Sequence, residues 1–243
     1  MSADLTLDGF LDGAVRAWQP KTGFRSASDA VLMAAAVPAL RGDSVLELGC
    51  GAGVASLCLN HRTGASVLGV EVQSDYAALA RKNGLEVVEA DIADIPADLR
   101  QRSFHHVMFN PPYYGTGEGT VAEMPTRDLA MREKLPLEDW LDAAVRRLRP
   151  KGSVSAILRA DRLPDLLRAT DARLGKMRVL PLCPRAGRPA KRIIFQAVKG
   201  ARAPFVLLPP LILHQRETHG EDGDDHTPKA ADILRRGKAL ALD

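Results

Sequence analysis

Cysteine is scarce in this chain, aromatic residues are few, and no long apolar run occurs. The three cysteines among 243 residues, Cys50, Cys58 and Cys183, have neither the paired spacing of a zinc or redox motif nor the density of a disulfide scaffold. A reducing cytoplasm is therefore the expected setting. The longest apolar run, residues 30–40, contains Pro38 and falls well short of the ~20 residues that cross a bilayer, so no membrane is expected. Asp4 and Asp8 stand where a secretory signal would be basic, which excludes that reading of the first ten residues. Charge of one sign is not in large excess either. A net charge of +3 permits an acidic partner without requiring one. His214, His219 and His226 occur with Asp222, Asp224 and Asp225, but their spacing fits no common ligand set. A solvated acidic tail is the expectation there, with no metal.

What is present suits a large α/β domain. Apolar residues make up 46% of the chain, enough over this length to bury a core. Short apolar runs at 44–48, 66–70, 85–89, 104–109 and 153–158 read as strands, and helical periodicity fills the segments between them. Residues 1–20 are weakly patterned. Helices are expected at 30–40, capped by Ser28 or Asp29 and ended near Pro38, from 54, at 75–82, at 137–148, stopped by Pro150 and Gly152, and at 163–173. Two late strands, near 176–182 and 192–198, have only a loop between them and should be antiparallel neighbours. The expected fold is a doubly wound, mostly parallel seven-stranded sheet whose last strand is antiparallel. Residues 1–42 form an extension and helix, 43–214 the core and 215–243 a tail, all within one expected domain. Residues 217–226 read as an acidic, Gly-rich loop and 228–236 as a short helix.

One stretch stands out chemically. The strand 104–109 ends abruptly in Asn110-Pro111-Pro112-Tyr113, with Tyr114 behind it. In an open α/β sheet, the segment after a strand lies at the carboxyl edge, where ligands bind. An Asn oxygen and the following Pro carbonyl can both accept hydrogen bonds from one planar amino group, while an aromatic ring stacks on the ring that bears it. An aryl amine is a poor nucleophile because its lone pair is delocalised; two fixed acceptors favour the positive charge that grows on it during attack. Asn and Pro are also common turn formers, so the motif gains weight from its neighbours.

Those neighbours suit a cationic, ribose-bearing cofactor. A strand runs through Glu47 into Gly49-Cys50-Gly51-Ala52-Gly53 and then a helix, so the backbone can turn tightly against a ligand. The dinucleotide fingerprint would need glycine at position 54, where Val54 stands. Glu47 would repel a pyrophosphate and attract a sulfonium amino acid. Glu71, after the second strand, can take both ribose hydroxyls, and Asp91, after the third, can accept from an adenine amine. Four strand ends would thus converge at one edge. Cys50 reads as a small packing residue, since no His lies near it in sequence to activate it.

On these motifs the chain resembles the class I S-adenosyl-L-methionine-dependent methyltransferases of the amino-group branch. More narrowly, it resembles the bacterial enzymes that methylate the N6 amine of adenine 37 in a valine tRNA. That likeness rests on residues 19–25 and 28–32, on the glycine loop, on Asn110–Tyr113, and on residues 190–192, 210–214 and 227–228. The chain departs from the group in having Ser28 before Asp29, where Thr is common, and in its acidic insert at 221–225. The resemblance implies that the glycine loop holds the methionine part of S-adenosyl-L-methionine, Glu71 the ribose and Asp91 the adenine. It also implies that Asn110 and the Pro111 carbonyl, with Pro112 behind them, hold the target amine, and that Tyr113 stacks on the target base. Direct displacement at the sulfonium methyl needs no nucleophilic residue and no metal.

A tRNA partner also needs phosphate contacts. Arg185, Arg188, Lys191 and Arg192 cluster between the last two strands, and with Lys21 and Arg25 they could line an approach to the site. Arg127 and Arg132 lie in the long 115–136 connection, which reads as a substrate-binding flap. No obligate protein partner is implied. Three other readings share the fold: methylation of guanine N2 in ribosomal RNA, methylation of a protein glutamine N5, and RNA binding without catalysis. The glutamine-modifying relatives carry a helical domain before the glycine loop, for which 48 residues leave little room. Loss of catalysis should show first at Asn110–Tyr113, and those residues are intact.

Overall fold

The computed structural model describes residues 4–112, 135–216 and 225–242. Its strands form where β-branched and aliphatic residues run together between turn residues. In chain order the elements are β1 (Leu5–Phe10), β2 (Val15–Pro20), α1 (Ser28–Ala36), β3 (Ser44–Leu48), α2 (Val54–Thr63), β4 (Ser66–Glu71), α3 (Ser74–Lys82), β5 (Glu86–Glu89), α4 (Ala97–Arg100) and β6 (Phe104–Phe109). After the undescribed stretch come α5 (Leu137–Arg147), β7 (Leu148–Arg159), α6 (Leu163–Ala169), β8 (Leu174–Cys183), β9 (Arg192–Lys199), the two-residue strands β10 (Val206–Leu207) and β11 (Leu211–Ile212), and α7 (Pro228–Arg236).

The expected sheet is present. Seven strands lie in the order β5-β4-β3-β6-β7-β9-β8, and β10 and β11 add short pairings to β8, making nine. Strands β3 to β7 are parallel, while β9 runs antiparallel to both β7 and β8. From β3 the chain winds outward through β4 and β5, then returns to place β6 on the other side of β3. That reversal is the switch point of a doubly wound sheet, and a crevice opens at the carboxyl ends there. Leu48 pairs with Phe109 in the register, so Gly49 and Asn110 leave neighbouring strands at the same level, about 4.8 Å apart laterally.

Alternating residues of each central strand serve two cores. Val45, Met108, Ile157 and Ile194 pack under α1, α2 and α7, whereas Leu46, Leu48, Val107, Phe109 and Phe195 pack under α5 and α6. Burial of both faces explains why β6 shows no polar side apart from its two histidines, as parallel strands require.

Several local expectations are corrected. Residues 5–20, weakly patterned in sequence, form an antiparallel hairpin separate from the main sheet; its alternation is masked because both faces of β2 carry polar and apolar residues. Ser28 and Asp29 do not cap α1. Ser28 is its first residue, Ala27 is the N-cap without a side-chain bond, and the Asp29 carboxylate accepts from Arg192 instead. α1 ends at Ala36 and α6 at Ala169, both shorter than the periodicity suggested. Pro150 and Gly152 do not stop α5 but lie within β7, because α5 passes directly into the strand at Leu148. Among the described residues no helix is long and apolar enough to cross a membrane.

Candidate active site

The glycine loop is shaped by backbone bonds to β4. Gly49 and Cys50 both donate their N–H groups to the Val70 carbonyl, at 2.8 and 3.0 Å. Gly49 and Gly51 have φ of +66° and +55°, a region costly for any side chain. Space requires glycine too: a Cβ on Gly49 would lie 2.7 Å from the Trp140 ring. The bare backbone therefore forms one wall of a cleft of about 240 Å³.

Glu71, at the end of β4, is buried and holds the loop from the other side. Its Oε2 accepts from Gly51 N–H at 2.8 Å, and its Oε1 accepts from Gln73 N–H at 2.9 Å. Each carboxylate oxygen can accept more than one bond, so Glu71 can fix the loop and still face a ligand hydroxyl in the cleft it lines. Asp91 also lines the cleft; it is exposed, with Oδ1 accepting from Ala93 N–H at 2.9 Å.

Asn110 sits at the end of β6 beside these groups, with Pro111 and Pro112, all lining the cleft. Its Oδ1 is buried and has no hydrogen-bond partner among the described residues. An unsatisfied buried acceptor costs about 1–3 kcal/mol, which makes Asn110 a candidate ligand contact. Tyr113, Tyr114, Arg127 and Arg132 lie outside the described residues.

Some expected residues are turned away from the cleft. Glu47 does not line it; its side chain points under α2, where Oε2 accepts from Ser56 N–H at 3.1 Å and from the Ser56 hydroxyl. Burial pushes its pKa up to about 8, against the lowering effect of the two Ser56 donors. Cys50 packs with Ala80 and Leu85, and burial, aided by Glu47 and Glu71, raises its thiol pKa well above the ordinary value. It is a packing residue, as its sequence context suggested. Gly53 caps α2 without lining the cleft.

Three aromatic lining residues were not singled out from the sequence: Phe24, Tyr76 and Trp140. The chain has 6 Phe, 3 Tyr and 2 Trp, so three aromatics at one cleft is a concentration. Scarcity was the available signal, but α5 periodicity made Trp140 read as core. It does pack against Phe109, with ring centroids 5.7 Å apart and the rings tilted by 38°. The cleft thus has aromatic walls, a bare-backbone floor, two carboxylates at one end and an amide acceptor at the other. That set suits an aminoacyl-nucleoside cofactor. No group of His, Cys, Asp and Glu among the described residues could hold a metal ion.

The basic residues divide into two sets. Arg192 Nε donates to Asp29 Oδ2 at 2.9 Å. Arg185 donates to the Arg216 carbonyl and, at 3.2 Å, to Asp225, closing the neck of the acidic insert. Arg25 bonds Asp8 at 2.5 Å and the Pro20 carbonyl at 3.2 Å, and exposed Lys21 pairs with Asp4 at 2.7 Å. Arg188 and Lys191 are exposed. Because Arg159 pairs with Arg192 beyond the Phe109–Ala156 level, the whole 184–191 loop stands at the same sheet edge as Asn110.

The sequence and the fold also resemble those of known proteins. Residues 45–124 match the family described as methyltransferase domain. Curated proteins named tRNA1(Val) (adenine(37)-N6)-methyltransferase are similar. One from Shewanella halifaxensis is 27% identical, covering 57% of this chain and 59% of that one. One from Shewanella amazonensis is 33% identical, covering 43% and 47%. One from Dickeya chrysanthemi is 27% identical, covering 72% and 73%. The chain thus spans about half to three-quarters of the length of these relatives. Among solved structures, a predicted O-methyltransferase from Agrobacterium tumefaciens has a TM-score of 0.72 at 29% identity, covering 88% of this chain and 98% of that one. An S-adenosylmethionine-dependent O-methyltransferase from Thermotoga maritima, at TM-score 0.54 and 14% identity over 75% and 68%, shares the fold.

Proposed function

We propose that this chain, which carries a methyltransferase domain of the S-adenosylmethionine-dependent class, transfers a methyl group to the N6 amine of an adenine in RNA, and that the target is adenine 37 of a valine tRNA. The observation that carries the reading is Asn110, which ends β6 and lines the cleft beside the glycine loop, and whose buried Oδ1 has no protein partner among the described residues. An amine offers two hydrogens, and Asn110 Oδ1 with the Pro111 carbonyl would accept both. The names of the curated relatives support the tRNA substrate.

Bound S-adenosylmethionine supplies an electrophilic methyl on sulfur. The chain's own residues do the rest by positioning. The Gly49–Gly53 backbone receives the amino-acid part, Glu71 the ribose hydroxyls and Asp91 the adenine amine. Asn110 accepts from the target amine, keeping its lone pair directed at the methyl and stabilising the charge that develops on nitrogen. Tyr113 stacks on the target base once it has left its own stack; an unpaired loop base loses least in doing so. Arg188 and Lys191 contact phosphates together with Lys21, while Arg25, Arg185 and Arg192 hold loops in place through the bonds given above. Set in a reducing cytoplasm, the protein would meet tRNA there.

The Agrobacterium neighbour is titled an O-methyltransferase, so a hydroxyl acceptor is the second reading. A hydroxyl has one hydrogen and leaves one acceptor unused. The test is transfer of labelled methyl from S-adenosylmethionine to bulk tRNA from cells lacking the protein, with nucleosides identified by mass spectrometry. N6-methyladenosine is expected. Label in a ribose-methylated nucleoside, or none in tRNA, would overturn the reading.

A further inference from the structure

The β1–β2 hairpin lies outside the main sheet, yet its bonds lead to the cleft. Asn83, the residue after α3, uses its whole amide. Oδ1 accepts from Trp18 N–H in β2 at 2.8 Å. Nδ2 donates to the Trp18 carbonyl at 2.9 Å and to the Ala52 carbonyl, in the middle of the glycine loop, also at 2.9 Å. One side chain therefore joins the hairpin to the glycine loop, at the residue after Gly51, which lines the cleft.

The next residue of β2, Gln19, is 2% exposed and joins the hairpin to the opposite wall. Its Oε1 accepts from Ser26 N–H at 2.8 Å, and its Nε2 donates to the Ser26 carbonyl at 3.1 Å and to Asp8 at 2.7 Å. This reciprocal pair holds the 21–27 loop that carries Phe24. The Tyr76 hydroxyl, from α3, donates to the Phe24 carbonyl at 2.8 Å. A Cβ on Gly51 would lie 3.5 Å from the Phe24 ring, so the ring stands over the glycine loop with room for about one methyl group between them. Left to itself, a loop with glycines at 49, 51 and 53 in left-handed conformations has many backbone states to lose when a ligand binds.

We propose that Asn83 and Gln19 are positioning residues of the cofactor cleft, and that the hairpin is the frame through which they hold the Phe24 wall and, through Ala52, the glycine loop in binding geometry. Neither side chain lines the cleft. Their effect is to lower the ordering that ligand binding requires. The inference rests on the cleft being the cofactor site.

The test is calorimetric binding of S-adenosylhomocysteine to the full chain carrying Asn83→Asp. The introduced carboxylate keeps the acceptor for Trp18 N–H, removes both donors and faces two carbonyls. Affinity at pH 7.5 should fall about tenfold, in line with the loss of donors to buried carbonyls. It should recover as pH is lowered towards 5, where a protonated carboxyl can donate again, over a range in which the unmodified chain does not gain affinity. Arg16→Ala, at an exposed hairpin position, should bind normally. Unchanged affinity in Asn83→Asp, or a loss that pH does not reverse, overturns the proposal. If that variant does not fold, Gln19→Glu decides: it keeps the acceptor for Ser26 N–H, removes the donors to the Ser26 carbonyl and Asp8 and should weaken binding several-fold, and normal binding would overturn the proposal. If the unmodified chain binds no S-adenosylhomocysteine, the reading of the cleft itself falls first.

Discussion

Glu47→Gln should change how stability depends on pH. Glu47 lies in β3, buried beneath the first turn of α2, whose N-cap Gly53 has no side chain to offer. Its Oε2 supplies the missing acceptor to Ser56 N–H and the Ser56 hydroxyl. Burial opposes the charge more strongly than these donors favour it, and the carboxyl is pushed up from 4.5 to about 8. The folded state therefore holds a proton that the unfolded chain releases near its ordinary pKa. Stability then falls as pH rises, by about 1.4 kcal/mol per pH unit across that window. From 4.5 to about 8 the whole loss is about 5 kcal/mol. A glutamine oxygen can accept both Ser56 bonds without titrating, so Glu47→Gln should match the parent protein at pH 4.5 and exceed it increasingly up to pH 9. Urea denaturation at four or five pH values, extrapolated to water, measures this difference directly. Titrations of groups that Glu47 does not influence are common to both chains and cancel. A loss of this size is a large part of the 5–15 kcal/mol that holds a typical domain together. Parallel curves for the two proteins would refute the reasoning, and would mean that Ser56 and the helix N-terminus keep Glu47 ionised despite its burial.

Three other outcomes are expected. Asn110→Ala should abolish methyl transfer while leaving S-adenosylhomocysteine affinity within about threefold, since its Oδ1 has no protein partner to lose among the described residues; parent-level turnover would remove its catalytic role. Gly49→Ala should destabilise the fold by about 2–4 kcal/mol, because its Cβ would meet the Trp140 ring at 2.7 Å with φ at +66°, and a thermal melt reads this directly. Burial lowers the His106 pKa from 6.5, although Asp43, at 3.2 Å, pulls it up; His105 and Arg149 also lower it, and the ring's Nδ1 meets Ser153 Oγ at 2.8 Å. The unfolded chain therefore takes up a proton first, and stability contributed by neutral His106 should be lost as pH falls from 6.5 through the lower folded value. The slope is up to about 1.4 kcal/mol per pH unit, and His106→Gln should remove it from an acid denaturation curve.

Much of the architecture was legible because it is written in local pattern. β3 and β6 were read to the residue, since both are apolar runs with abrupt polar or proline ends. The antiparallel arrangement of β8 and β9 followed from the short connection between them. The hairpin was not legible: β2 alternates Arg16 and Trp18 outward with Val15 and Ala17 inward, and its register depends on β1 and on Asn83, 65 residues from Trp18. Charged residues were the least legible of all. Arg192 looked like one of a basic cluster, yet it is bonded to Asp29, 163 positions away, and Arg185 is bonded to Asp225, 40 positions away.

By itself, then, the sequence determined the alternation of strands and helices, the glycine loop and the position of Asn110 after a buried strand, because hydrophobic period and turn chemistry act over a few residues. Tertiary structure alone decided which side chains face the cleft. It turned Glu47 beneath α2, because a side chain on a parallel strand serves whichever layer its parity selects. It also brought Phe24, Tyr76 and Trp140 from three distant elements to one cavity. That convergence depends on how layers pack, and packing brings together residues that share no local pattern.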